Sequence, residues 1–271
     1  MLSPCMVMTC YMLPKQFWAY NNNEKCHYNM YDYADLLIVD EAGQISVEIG
    51  AITFAFAQKA IVVGDERQIP PVWSIRKALD ISMAIKNGVI ESSEQYEKLE
   101  KMGLNCSQSS IMKIASLSSP YEKYGKGLFL SEHRRCYNEI IQYCNELVYG
   151  GNLEPLRGSF QKDDSNVISD LLLPMNHVQV DTTYSQRVGT SRQNKNEAEA
   201  IVEWIAENFP VILERYQLRA EAKQLEFNSK LVLGIITPFK SQSTLIKRFI
   251  NKKLPDYAAD ISVGTVHTFQ G

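Results

Sequence analysis

Short apolar runs alternate along this chain with stretches whose apolar residues recur at helical spacing. That alternation predicts an α/β fold with mainly parallel sheets. Residues 36–39 (LLIV) form a continuous apolar run ending at Asp40-Glu41, the pattern of a parallel strand buried on both faces. Residues 61–63 (IVV), ending at Gly64-Asp65, read the same way, and residues 47–57 between them have the length of a crossover helix. Residues 74–119 are helix-forming and charged, then Ser-rich, with no strand expected. A second α/β pattern follows. It predicts a short strand at 128–130, a helix at 138–148 closed by Gly150-Gly151, a loop over 152–175 and a strand at 177–181. An amphipathic helix at 196–208, a charged helical stretch at 211–228, a buried strand at 231–236, a helix at 242–251 and a last strand at 261–266 complete it. No internal repeat is visible.

Composition changes this picture little. The chain has 271 residues, 45% hydrophobic and 22% charged, which is globular and large enough to bury a core without metal or disulfides. No apolar run approaches the ~20 residues that span a bilayer, so no membrane partner is expected. The N-terminal MLSPCMVMTC lacks a basic n-region, so no signal peptide is expected. Six cysteines at 5, 10, 26, 106, 136 and 144 form no CxxC pair and read as reduced thiols of a cytoplasmic protein. The net charge of −3 argues against a basic coat on nucleic acid but allows a localised groove. The acidic excess lies in the first 119 residues, with 10 Lys+Arg against 13 Asp+Glu; the remainder balances at 18 against 18.

Candidate chemistry concentrates at strand ends. The carboxyl ends of parallel strands face the ligand crevice. An acid pair such as Asp40-Glu41 suits Mg²⁺ held by the aspartate and water polarised by the glutamate, as in P-loop ATPases. A solvated strand end before a turn at Gly43 is the alternative. Asp65 is followed by Glu66, Arg67, Gln68 and the stiff Pro70-Pro71, so Gln68 is placed to donate its amide to a γ-phosphate, unless the segment is only a polar turn.

DEAGQ followed by GDERQIPPV resembles motifs II and III of superfamily 1 helicases, within the 5′-to-3′ branch containing the nonsense-mediated-decay helicase, senataxin and related bacterial DNA helicases. LSEHRR resembles motif IV, and NKNEA resembles an N-x-x-E-A segment opening a helix. GIITPFKSQ resembles G-I-I-T-P-Y/F-x-x-Q, and VGTVHTFQG resembles motif V with His267 at a position usually acidic. The resemblance runs from about residue 3 to Gly271. It implies two RecA-like domains: residues 1–75 as the second half of the first, 76–119 as a helical insertion or linker, and 120–271 as the second. It also implies ATP and Mg²⁺ as cofactors and single-stranded nucleic acid as partner, with DNA favoured over RNA. Asp40 (Mg²⁺), Gln44 and Asp65 are assigned to the cofactors, and Glu41, Gln68 and Arg134 to catalysis. Arg134 would be an arginine finger reaching the γ-phosphate across the cleft between domains, with Arg135 as competitor and a surface salt bridge as the alternative. Thr237, Pro238, Gln242, Thr265 and His267 are assigned to a sequence-independent nucleic-acid track.

The departures are specific. No G-x-x-x-x-G-K-[ST] occurs in these residues, since Gly125-Lys126 has Pro120 where the first glycine belongs. Family order puts that loop upstream of Met1 and motif VI beyond Gly271, so the chain reads as an internal piece of a longer helicase, or as a truncated gene product, inactive by itself. A non-catalytic nucleic-acid-binding module derived from a helicase is the second reading. His133, Cys136 and Cys144 read as packing residues rather than metal ligands. The Tyr/Asn-rich stretch at 20–33 reads as an insertion, with an exposed loop of stacking aromatics as the other reading.

Overall fold

The computed structural model describes residues 5–123, 125–161, 167–180 and 184–269, and the chain divides into two units, Met1–Leu130 and Ser131–Gly271. In the first unit a short helix α1 (Leu13–Gln16) leads into an antiparallel hairpin of β1 (Trp18–Asn21) and β2 (Cys26–Asn29). The Tyr/Asn-rich stretch is therefore largely a hairpin. Trp18 and Tyr20 set their rings edge-on to His27, at 4.3 and 5.1 Å between centroids.

The apolar runs that end in acids become β3 (Leu37–Val39) and β4 (Ala60–Val62), paired in parallel with Ile38 opposite Ile61. The expectation that both are buried on two faces does not hold. Ile38 and Ile61 are 63% and 50% exposed, because this sheet has only two strands and one packed face. On that face Val39, Ala42 and Ile111 form a small core with Leu37, Ile45, Phe54 and Val62 against them. The connection between the strands begins as α2 (Val47–Gly50) and tightens into 3₁₀ turns over Ala51–Phe56. Thr53 explains part of that tightening: its hydroxyl donates to the Gly50 carbonyl at 2.6 Å, competing with regular helix bonding.

The rest of the first unit after Pro71 holds α3 (Lys77–Lys86), α4 (Tyr96–Lys101) and α5 (Ile111–Ser118), with no strand among its described residues. Their anchor is Asp80, 9% exposed, whose Oδ2 accepts from the Tyr96 hydroxyl at 2.6 Å and from the Cys106 and Ser107 amides at 2.7 and 3.0 Å. Burial, and then the hydrogen bond to Asp80, push the Tyr96 phenol up to about 12.

The second unit opens with β5 (Glu132–His133), paired in parallel with β6 (Glu154–Pro155) through α6 (Asn138–Val148). The strand expected at 128–130 is absent: Leu128 and Leu130 are 76% and 83% exposed, and pairing starts two residues later. The strand expected at 177–181 is not formed by residues 177–180, and Asp181 lies outside the described residues. Next come the hairpin β7 (Gln186–Val188) and β8 (Ser191–Gln193), and the helix α7 (Lys195–Ala222). This one helix replaces the two helical stretches expected at 196–208 and 211–228. It runs through Pro210, which removes a backbone donor and costs about 3 kcal/mol in a free helix. Ala198, Val202, Ile205, Phe209 and Ile212 keep helical spacing across the proline and are all buried, so packing outweighs that local cost.

That stripe packs on α8 (Lys240–Lys253) through Leu245, Ile246 and Ile250, and on β10 (Ile261–Gly264) through Ile261 and Val263. β9 (Leu233–Ile236) pairs in parallel with β10, Ile236 opposite Gly264. The strand expected to be buried over 231–236 starts two residues late, with Leu231 83% and Ile236 56% exposed, since only β10 flanks it. Among the described residues the fold is thus mixed α/β with short parallel sheets, and no helix is long and apolar enough to cross a membrane.

Candidate functional site

In the first unit the ends of β3 and β4 interlock through backbone. The Val63 amide donates to the Val39 carbonyl at 2.8 Å, and the Ala42 amide donates back to the Val63 carbonyl at 2.9 Å. A 3₁₀ turn over Ala42–Gln44 then lies against Gly64 and Asp65. A Cβ on Gly43 would stand 2.3 Å from the Asp65 carbonyl oxygen, and one on Gly64 would stand 2.8 Å from the amide nitrogens of Ala42 and Gly43. Glycine at both places lets two loops that carry carboxylates share one strand end. The turn is entered through Glu41 in the left-handed region, φ 51, a cost of about 1–3 kcal/mol for a non-glycine residue that the surrounding contacts must hold in place.

The side chains follow from that framework. Asp40 Oδ1 accepts from the Glu41 amide at 2.9 Å, and the Gln44 side-chain amide donates to Glu41 Oε2 at 3.1 Å. Asp65 Oδ1 accepts from the Arg67 amide at 2.8 Å, while the Gln68 side-chain amide donates to Asp65 Oδ2 at 3.3 Å. Five assigned residues, Asp40, Glu41, Gln44, Asp65 and Gln68, therefore gather at two adjacent strand ends. Asp40, Glu41, Glu66 and Gln68 are exposed and Asp65 is half-buried. Asp40, Glu41, Asp65 and Glu66 put four carboxylates on these two loops, with Arg67 following them. A Mg²⁺ ion held here would take one or two of these carboxylates, with phosphate and water completing its shell. Among the described residues no group of three ligands would cage a metal alone.

The loop bearing Gln68 is tied down behind the site. Trp73 Nε1 donates to the Ser109 carbonyl at 2.8 Å and the Ser74 hydroxyl donates to Glu48 at 3.2 Å, so the segment after Pro71 is fastened to the α5 approach and to α2.

In the second unit the ends of β9 and β10 gather a different set. The Thr237 amide donates to the Gly264 carbonyl at 3.1 Å, which sets Thr237 beside Thr265. Thr265 caps a 3₁₀ turn over Val266–Thr268, reciprocally with Thr268, and His267 stands exposed on it. Pro238 is exposed, whereas Thr237 is 7% exposed and its hydroxyl accepts from the Phe239 amide at 3.4 Å. Gln242 is 4% exposed and holds Asn194 at both backbone atoms: Oε1 accepts from the Asn194 amide at 2.7 Å and Nε2 donates to its carbonyl at 3.1 Å. Gln242 is thus a positioning residue here, and Asn194 in turn caps α7 by accepting from the Asn196 and Glu197 amides. The Gln270 and Gly271 positions of the motif V match lie outside the described residues.

Arg134 follows β5 and donates through Nε and Nη2 to Glu132 Oε2 at 3.1 and 2.9 Å in an exposed ion pair. His133 Nε2 accepts from the Cys136 amide at 3.0 Å, which occupies the imidazole lone pair a metal would use. Sequence reasoning missed the two glycine contacts and the Asp80 anchor. It placed Gln242 by its motif and not by its burial, though an amide at the third residue of a helix with apolar neighbours was the available signal.

Comparison with known proteins gives the relatives of this arrangement. An AAA domain family model matches residues 109–271. The DNA replication ATP-dependent helicase/nuclease DNA2 of Xenopus laevis is 24% identical over 257 residues, covering 88% of this chain and 20% of that protein. The DNA replication ATP-dependent helicase/nuclease JHS1 of Arabidopsis thaliana is 25% identical over 251 residues, 88% of this chain and 15% of that protein. The probable helicase senataxin of Homo sapiens is 26% identical over 238 residues, 87% of this chain and 8% of that protein. The chain spans a fifth or less of the length of these curated relatives.

Proposed function

This chain belongs to the AAA domain family, and we propose that it is part of a superfamily 1 helicase of the 5′-to-3′ branch that couples Mg²⁺-ATP hydrolysis to movement along single-stranded DNA. In this reading the chain carries parts of two RecA-like motors, with 1–75 as the second half of the first, 76–119 as a helical insertion or linker and 120–271 as the second. The observation that carries the proposal is the glycine-interlocked strand end of the first unit, which gathers Asp40, Glu41, Gln44, Asp65 and Gln68. Relatives named as ATP-dependent helicases support it.

Asp40 would hold Mg²⁺, which when bound neutralises charge on the transferred phosphoryl oxygens. Glu41 takes the proton of the attacking water, Gln44 holds the Glu41 carboxylate through its amide, and Asp65 orients Gln68 toward the γ-phosphate. Arg134, released from Glu132, is the proposed cation for transition-state charge. Pro238, Thr265 and His267 would contact the strand, with the buried Thr237 and Gln242 positioning the strand end and the helix start. No G-x-x-x-x-G-K-[ST] sequence occurs in the chain, so the chain alone is expected to turn over no ATP.

In a longer protein containing this chain and a phosphate loop, Glu41→Gln should lower ATP turnover by roughly 10²-fold or more while leaving ATP binding intact. Unchanged turnover would refute the assignment. ATP turnover by the isolated chain, abolished by Glu41→Gln, would refute the need for that loop.

A further inference from the structure

Between Asp181 and Glu197 the sequence runs 15 residues without a carboxylate and carries Arg187, Arg192 and Lys195. The structure turns part of this stretch into the β7–β8 hairpin. Two residues, Gly189 and Thr190, join the strands, and Gly189 takes φ +59, as a glycine-first hairpin turn requires. The register then sets Arg187 directly opposite Arg192. Direct partners share a face of the ribbon, and like charges so placed repel. Neither guanidinium has a carboxylate partner among the described residues; Arg187 donates through Nε to the Gly189 carbonyl at 3.0 Å, and both side chains are exposed.

The hairpin is held in this arrangement from its other face. Ser191 Oγ accepts from the Ser241 amide at 3.1 Å, at the start of α8, and the Gln242 side chain grips Asn194 just past β8. The two arginines are therefore presented away from α8, on a ribbon anchored beside the Thr237 strand end. Tyr184, at the approach to β7, is 97% exposed.

We propose that this hairpin is a phosphodiester-binding arm, with Arg187 and Arg192 on neighbouring phosphates of a single strand and Tyr184 stacking on a base. The exposed ribbon favours an extended polyanion over a free phosphate or nucleotide, whose sites are concave. The inference rests on the proposed function in one respect, that the chain engages single strands.

The test is binding of a labelled single-stranded oligonucleotide to the 271-residue chain across a series of salt concentrations, with thermal midpoints measured on the same proteins. Arg187→Ala/Arg192→Ala should flatten the slope of log affinity against log salt by about 1.4, two phosphates at ~0.7 each. Arg187→Lys/Arg192→Lys should keep the slope. Tyr184→Ala should lower affinity with the slope unchanged. Arg192→Glu, which replaces repulsion with a cross-strand ion pair, should raise the midpoint while weakening binding. An unchanged slope in the double alanine protein, with wild-type binding intact, overturns the arm alone. A fall in both midpoint and affinity for Arg192→Glu also overturns it, since a purely structural hairpin would behave so. No binding of single strands by the wild-type chain overturns the arm and the proposed nucleic-acid track together.

Discussion

The two strand-end sites are built by opposite means. In the first unit, backbone packs on backbone: Gly43 and Gly64 let two loops approach to a distance that no Cβ permits, and the acids ride on that contact. In the second unit, side chains tie the pieces together: Gln242 grips Asn194, Ser191 receives Ser241, and Phe269 lies over Gly234. A backbone lock fixes positions tightly and tolerates no added volume. A side-chain stitch yields by rotamer changes and fails gradually. The first construction suits groups that must meet a reacting phosphate within tenths of an ångström. The second suits a surface that receives a strand irrespective of its sequence.

The sharpest way to break this comparison is to add one methyl group to each site. Gly43→Ala meets the Asp65 carbonyl at 2.3 Å and should destabilise the first unit by about 3 kcal/mol or more. Gly234→Ala meets only the edge of the Phe269 ring at 2.9 Å, which can turn aside, and should cost about 1 kcal/mol or less. Calorimetric or denaturant unfolding of the two proteins checks the ordering, and equal losses would remove the distinction.

Next in size is the Asp80 anchor of the helical segment. Asp80→Ala leaves the Tyr96 hydroxyl and the amides of Cys106 and Ser107 without their acceptor, an expected loss of about 2–3 kcal/mol in urea unfolding. The same anchor has a pH signature. The Tyr96 phenol sits at about 12 when folded against an ordinary value near 10, so its contribution is full below pH 10 and is lost as pH rises from 10 to 12. Tyr96→Phe should remove that part of the alkaline decline and leave the neutral-pH slope unchanged.

Smaller than the loss at Asp80 is the one expected at the Gln242 clamp of the stitched site. Gln242→Leu keeps the volume but removes both side-chain hydrogen bonds to the Asn194 backbone, and should cost about 1–2 kcal/mol in denaturant unfolding. No loss at all would mean that the clamp does not hold the start of α7.

How much of this was legible in the sequence follows the same division. Strands ending in Asp40-Glu41 and Gly64-Asp65, their parallel pairing and the helix at Asn138–Val148 were readable, because apolar runs and helical periodicity are local signals. The strand ends carrying Thr237 and Thr265 were readable for the same reason. The exposure of Ile38 and Ile61 was not: burial depends on how many strands flank a run, which the run does not record. The separation of 196–208 from 211–228 failed for a related reason, since the buried stripe from Ala198 to Ile212 emerges only when the two stretches are read as one helix. Gly43 and Gly64 looked like turn residues, and their close approach is a tertiary fact. Asp80 lay unremarked in a stretch read as helix-forming and charged, and only the fold brings Tyr96 and two amides to it.

The central claim is that the backbone-locked site carries the chemistry and the side-chain-stitched site carries the strand. The most direct test measures phosphate release and single-strand affinity on both Glu41→Gln and Thr237→Ala/His267→Ala in a longer protein containing this chain. Glu41→Gln should lose turnover by roughly 10²-fold and bind single strands as before. Thr237→Ala/His267→Ala should bind single strands more weakly, with a slightly flatter salt slope, and keep its turnover in the absence of nucleic acid. If both proteins lose both activities in parallel, or if the threonine and histidine changes leave strand binding untouched, the division of labour between the two sites is wrong.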